Sequence, residues 1–112
     1  MLTKNKELTP QQVHNRAAKI IKKVGLLKNA YGTDTNAPMC VVAAICYAKT
    51  GQLMVGKDRT LDTTGIRLKC IPELELLSKK VNEHYDALEW WNNKKDTTQE
   101  KVIKVLRSKY SD

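Results

Sequence analysis

One cysteine and one histidine are the residues whose types could support covalent catalysis. Cys40 lies at the start of an apolar stretch, where the positive end of a helix dipole would lower the pKa of its thiol. His84, with Asp86 or Asn92 near it in sequence, is the matching candidate for a general base and its orienting partner. No sequence typical of an oxyanion loop flanks Cys40, so a packed thiol and a surface histidine are favoured. A small hydrolase centred on Cys40 remains the alternative.

The other chemistry-bearing residues lack the spacing of a catalytic or metal site. The cysteines stand at positions 40, 46 and 70 and the histidines at 14 and 84, without a CxxC or HxxxH pair. The cysteines are odd in number and lack the spacing of a disulfide framework, so reduced thiols are favoured. A solvated acidic patch balanced by nearby cations explains a further group of charged residues, namely Asp58, Asp62, Glu73 and Glu75 with Lys57, Arg59, Arg67 and Lys69. No catalytic, cofactor-binding or metal-binding residue is predicted.

Positive charge is concentrated near the two ends of the chain. The net charge is +8; residues 1–28 carry seven basic side chains against one acidic, and residues 94–112 carry six against three. The intervening residues 29–93 carry seven basic against eight acidic side chains. If the terminal helices lie side by side, their outward faces form one basic surface that attracts a polyanion or an acidic protein. An ordinary solvated surface is the competing interpretation.

These side chains must be positioned by helices that surround an apolar centre. Residues 37–48 contain no charge and are too short to cross a bilayer, so the sequence predicts a buried central helix over 37–50. A buried strand is the alternative, because Val41, Val42 and Ile45 favour extended structure locally. The sequence therefore predicts a mainly α, single-domain bundle of about four helices.

Capping signals and apolar periodicity place the other helices. Thr9, Pro10 and Gln12 predict a helix that ends at Gly25. A second amphipathic stretch runs from position 72 to 88, and a third begins near Thr97, with Glu100 closing a capping box. Residues 52–70 are predicted to be irregular, with at most one short helix or strand pair. Residues 1–7 are predicted to be flexible.

Two adjacent tryptophans interrupt the helical pattern after residue 88. Neighbouring residues on a helix diverge by about 100°, so Trp90 and Trp91 cannot both enter one core. One ring is expected to cover the core and the other to be available for a base or a protein partner. Asn92 and Asn93 are expected to form the following turn.

Three stretches resemble a small uncharacterised family found in phage and bacterial, especially actinobacterial, genomes. They are the first helix with its glycine loop (17–32), the cysteine-led small-residue helix (40–48), and the tryptophan-asparagine turn before a threonine-capped helix (91–102). The family usually has glycine where Ala43 stands and aspartate where Asn93 stands. The resemblance implies a phage or mobile-element setting and supplies no reaction.

The predicted function is that of a small basic binding protein without enzymatic activity. Its expected partner is nucleic acid or an acidic host protein, the latter as an inhibitor of host or defence machinery. The sequence shows no membrane span or secretory signal, so a location in the cytoplasm of a bacterial host cell is expected. The predicted binding residues are Arg16, Lys19, Lys22, Lys23, Trp90, Trp91, Lys94, Lys95, Lys101, Lys104 and Arg107.

Overall fold

A computed structural model describes residues 8–110, so the predicted flexible segment 1–7 lies outside the described residues. The described chain forms six α-helices and one 3-10 turn, and it contains two isolated backbone bridges but no strand. The helices are α1 (Pro10–Val24), α2 (Val41–Thr50), α3 (Leu61–Leu68), α4 (Ile71–Val81), α5 (Leu88–Asn93) and α6 (Gln99–Arg107), with the 3-10 turn at Tyr85–Ala87. The prediction of a mainly α fold is confirmed. None of these helices is long and apolar enough to cross a membrane.

Helix α2 is the centre of the fold, as the uncharged run predicts. Its buried residues are Val41, Val42, Ala43, Ala44, Ile45, Cys46 and Ala48, and α1, α3, α4 and α5 all pack against it. The helix begins at Val41 rather than at 37 because Cys40 is an N-cap residue with extended backbone angles, and its sulfur accepts a hydrogen bond from the Ala43 N–H. Before it, Met39 forms a bridge with Leu26.

Helix α1 has the predicted boundaries and lies beside α6. Thr9 and Gln12 form a capping box, Pro10 occupies the first turn, and Gly25 ends the helix with a positive φ of 100°. The two terminal helices pack directly on each other, which is the arrangement that a merged basic surface requires. Helix α6 is capped by Thr98, so the predicted capping box of Thr97 and Glu100 is wrong.

The chain between α2 and α6 contains more helix than the sequence predicts. Residues 52–60 are irregular, and the short helix that was one of the alternatives forms as α3. The predicted helix over 72–88 is divided, because Asn82 adopts the left-handed conformation and ends α4. The segment Trp90–Asn93 belongs to α5 instead of forming a turn. This correction puts Asn92 on a packed helix face.

A buried polar network joins α1, α4 and α6. His14 is fully buried; its Nε2 lies 2.8 Å from the Glu73 carbonyl oxygen and its Nδ1 lies 2.8 Å from Lys80 Nζ. Lys80 also donates to the Leu106 carbonyl at the end of α6. Since a carbonyl only accepts and an ammonium only donates, His14 is neutral with its proton on Nε2. Burial is the main cause that lowers the pKa of His14 to about 4; the hydrogen bond with the Glu73 carbonyl acts to raise the pKa and the charge of Lys80 acts to lower it.

We predict that the free energy of unfolding falls as the pH is lowered from about 6.5 to about 4. In this range the unfolded chain protonates His14 and the folded chain does not, so acid favours unfolding by up to about 3 kcal/mol. Urea unfolding of the natural chain and of His14→Gln, measured at pH 7 and pH 5, checks this. Glutamine supplies one donor and one acceptor but does not titrate, so its stability should depend less on pH. An equal loss of stability in both proteins would contradict the assignment.

Candidate functional site

An open groove between the terminal helices brings together predicted binding residues from both ends of the chain. It has a volume of about 690 Å³ and is called here the α1–α6 groove. Its lining residues are Lys22, Gln99, Glu100, Ile103, Lys104, Arg107 and Ser108. Three cations and one carboxylate thus line the groove together with the half-buried Ile103. The groove can accept an anionic ligand that also presents some apolar surface.

The other predicted cations extend this charge without lining the groove. Four lie exposed on α1 and α6, namely Arg16, Lys19, Lys23 and Lys101, and Lys95 is exposed in the connection before α6. Lys94 is half-buried in the same connection. None of the nine predicted basic residues forms an ion pair with another residue of the described chain. Their charges therefore remain available to a partner.

The two tryptophan side chains differ in exposure, as the helical geometry predicts. Trp91 is 4% exposed and belongs to the core, whereas Trp90 is 58% exposed. The ammonium of Lys94 lies 4.8 Å from the centroid of the Trp90 ring, within the range of a cation–π contact. Trp90 is therefore available for stacking and Trp91 is not.

A second recess, called here the polar cavity, lies between α5, the α1–α2 connection and the loop before α3. Its volume is about 340 Å³. The residues that line it are Asn29, Ala30, Tyr31, Cys40, Lys57, Asp58, Glu89, Asn92 and Asn93. These residues lie on four distant segments of the chain, so no local sequence pattern predicts that they come together. Their assembly depends on the packing around the N-terminal end of α2.

One wall of the polar cavity is stabilised by a charged network around Glu89. The Arg67 side chain donates to both oxygens of the Glu89 carboxylate, at 2.8 and 3.0 Å, and the Tyr31 hydroxyl donates to one of them at 2.9 Å. Arg59 donates to the other oxygen at 3.1 Å. The Arg67 guanidinium also lies 4.6 Å from the centroid of the Tyr85 ring. Both oxygens of the Glu89 carboxylate thus have hydrogen-bond partners.

The same network shifts the pKa values of its members. Burial alone would raise the pKa of the Glu89 carboxyl, but the hydrogen bonds and charge of Arg67 outweigh burial and lower it. Burial and the neighbouring Glu89 raise the pKa of Tyr31 to about 12.

The interpretation of the charged residues near positions 57–75 as a solvated patch is wrong for two of them. Arg67 is buried, and Glu73 is buried and pairs with Lys49 at 2.9 Å.

The residues considered for cysteine catalysis are not assembled into a triad. Cys40 lines the polar cavity, but it is 3% exposed and burial raises the pKa of its thiol to about 12. Asn92 lies beside the same cavity, where its Oδ1 accepts from the Val41 N–H and its Nδ2 donates to the Leu27 carbonyl, both at 2.9 Å. His84 is exposed and lines a different recess, beside α4. Asn92 therefore orients backbone at the start of α2, and Cys40 remains a protonated thiol.

Among residues 8–110 no cluster of three or more His, Cys, Asp or Glu side chains could hold a metal ion. The fold and the two recesses define a small, mainly α protein with a basic groove and a separate polar cavity. The sequence model of DUF6197, a family of unknown function, matches residues 5–109, so the chain belongs to that family. No curated protein and no solved structure matches the chain. The predicted resemblance to an uncharacterised family is confirmed.

Removal of the Arg67 side chain should destabilise the fold far more than removal of Arg59. The Arg67 side chain is 5% exposed and that of Arg59 is 45% exposed, although both contact Glu89. Arg67→Met leaves a partly buried carboxylate without its main partner and should cost about 3 kcal/mol. Arg59→Met should cost less than about 1 kcal/mol, as expected for an exposed pair. Urea unfolding of the two variants tests the assignment, and equal losses of stability would refute it.

The Cys40 thiol should react slowly with alkylating reagents while the protein is folded. A thiol with a pKa of about 12 contains almost no thiolate at neutral pH, and the fold also shields it from reagent. Mass spectrometry of peptides after brief iodoacetamide treatment, with and without urea, measures the modification of each cysteine. Rapid modification of Cys40 at pH 7 without urea would instead favour the cysteine hydrolase alternative.

Proposed function

We propose that this protein is a non-enzymatic module that binds nucleic acid through the α1–α6 groove. The observation that carries the proposal is the meeting of Lys22, Lys104 and Arg107 along one open groove, with Glu100 as the single carboxylate among its described lining residues. Successive phosphates of a strand would contact these cations and release their condensed counterions. Much of the binding free energy would then be electrostatic and independent of sequence.

The charge of the rest of the molecule supports this choice of partner. The net charge is +8, and the exposed cations of α1 and α6 add to the field around the groove. Such a field increases the rate at which a polyanion associates. The cationic Lys94 beside the Trp90 ring adds a surface on which an unpaired base can stack. Phosphate contacts and one aromatic platform are the usual components of a single-strand-binding surface.

An acidic host protein is the competing occupant of the same groove, in which case the protein would act as an inhibitor. We also propose that the protein is encoded by a phage or mobile element, as the family resemblance implies, and that it acts in the cytoplasm of a bacterial host. The exposed ring of Trp90 would serve either partner. The choice of nucleic acid therefore rests on the cations of the groove. The hydrolase alternative lacks comparable support, because Cys40 is buried and His84 lines another recess.

Binding to a short single-stranded oligonucleotide should weaken steeply as salt is raised. Loss of three phosphate contacts in the combined variant Lys22→Gln, Lys104→Gln and Arg107→Gln should reduce the slope of log K against log salt by about 2. Fluorescence anisotropy of a labelled oligonucleotide between low and moderate salt measures both slopes. Since the three side chains line an open groove, each substitution should change stability by no more than about 0.5 kcal/mol.

Lys79→Gln is the matched control, because Lys79 is exposed on α4 and lines a different recess with Glu75 and Glu83. It should leave the slope close to that of the natural chain. If the oligonucleotide does not bind at low salt, or if Lys79→Gln weakens binding as much as the combined variant, the proposal is wrong. Capture of an acidic protein by the groove, with a weaker salt dependence than nucleic acid would show, would support the competing partner instead.

A further inference from the structure

The polar cavity is connected to the α1–α6 groove by two segments that run side by side. The Leu26 N–H donates to Gln99 Oε1, a residue that lines the groove, at 3.1 Å. Lys28 Nζ donates to the Lys94 carbonyl, and the Asn29 N–H donates to Asn93 Oδ1 at 2.7 Å. Asn29 and Asn93 both line the cavity. The paired segments 26–29 and 93–99 therefore span the stretch of surface between the groove and the cavity.

The charges around the cavity compensate one another. Glu89 is neutralised by Arg67 and Arg59, and Arg59 also lies 3.9 Å from Asp86. Lys57 and Asp58 contribute one charge of each sign to the lining. A phosphate or carboxylate would meet no excess of positive charge here, in contrast to the α1–α6 groove. The cavity is suited to an uncharged polar ligand.

Asn93 contributes one hydrogen-bond donor of known orientation to the cavity lining. Its side-chain oxygen accepts from the Asn29 N–H and from Asn92 Nδ2, at 2.7 and 3.2 Å, so two donors determine which end of the amide is oxygen. Its Nδ2 has no hydrogen-bond partner among the described residues and remains free to donate. A ligand with an acceptor on its edge would satisfy this group.

The structure assigns the polar cavity as a pocket for the base of one unpaired nucleotide, whose backbone continues into the α1–α6 groove. A base is uncharged, planar and bordered by acceptors and donors, which matches the compensated charge and the free Asn93 donor. The volume of about 340 Å³ is at the lower end of the range for small-ligand pockets. This inference rests on the proposed function, and it specifies single-stranded nucleic acid as the ligand.

Nucleosides test the cavity without the phosphates that the groove requires. Uridine, which has acceptor oxygens on its base and no phosphate, is titrated into the folded chain while NMR follows the amide signals of Asn29, Asn93 and their neighbours. Saturable shifts confined to the cavity residues are expected. Asn93→Asp keeps the oxygen that accepts from Asn29 but removes the free donor, so it should weaken uridine binding by about tenfold.

Two further variants distinguish a loss of uridine binding from a loss of folded structure. Ala30→Leu adds bulk to the cavity lining from a loop position and should also reduce uridine binding, while Lys79→Gln should not. If uridine causes no saturable shifts at the cavity, or if it binds Asn93→Asp and Ala30→Leu as well as the natural chain, the inference is overturned. If the oligonucleotide still binds in that case, the proposed function stands without the base pocket. Uridine binding without oligonucleotide binding would refute the groove, and with it the continuation of the backbone, and would leave the cavity as a nucleoside pocket only.

Discussion

Burial of an uncharged helix determines the arrangement of the whole molecule. Helix α2 has no charged residue before Lys49, and nearly every side chain along it is removed from water by the helices around it. Because α2 is apolar on all sides, its neighbours must cover it completely, and each of them turns an apolar face inward and a polar face outward. The exposed cations of α1 and α6 follow from this constraint, since these two helices pack on each other at one side of the core.

Buried polar contacts then fix how the surrounding helices meet the core. Asn92 ties the α1–α2 connection to the start of α2 through the Leu27 carbonyl and the Val41 N–H. His14 and Lys80 join α1 to α4 and to the end of α6. Such groups cost free energy when they are left unpaired, so they disfavour other packings of the same helices. The groove and the cavity depend on these contacts for their shape.

The fold was largely predictable from local patterns. The uncharged run predicts α2, and Thr9 and Pro10 predict the start of α1. Each of these signals is local, because all of its residues lie close together in the sequence. The break at Asn82 and the cap at Thr98 were not predicted, since a left-handed asparagine and the choice between two adjacent threonines depend on tertiary packing. Propensity and spacing do not encode these choices.

The candidate site was predictable only in part. Charge distribution indicates that both chain ends are basic, but it does not indicate that Lys22 and Arg107 would line the same groove. The pair of Arg67 and Glu89 is not predicted because the residues are 22 positions apart on different helices. Arg67 also has carboxylates near it in sequence, so it resembles part of an ordinary solvated patch. A buried cation adjacent to a tyrosine has no signature in a single sequence.

Chemical-shift mapping with a short single-stranded oligonucleotide tests the central claim most directly. We expect the perturbed backbone amides to form one continuous surface over the C-terminal half of α1, the segment 90–99 and α6. The faces of α3 and α4 that lie away from this surface should be unaffected. Perturbations concentrated on α3 and α4, or no perturbation at low salt, would contradict it.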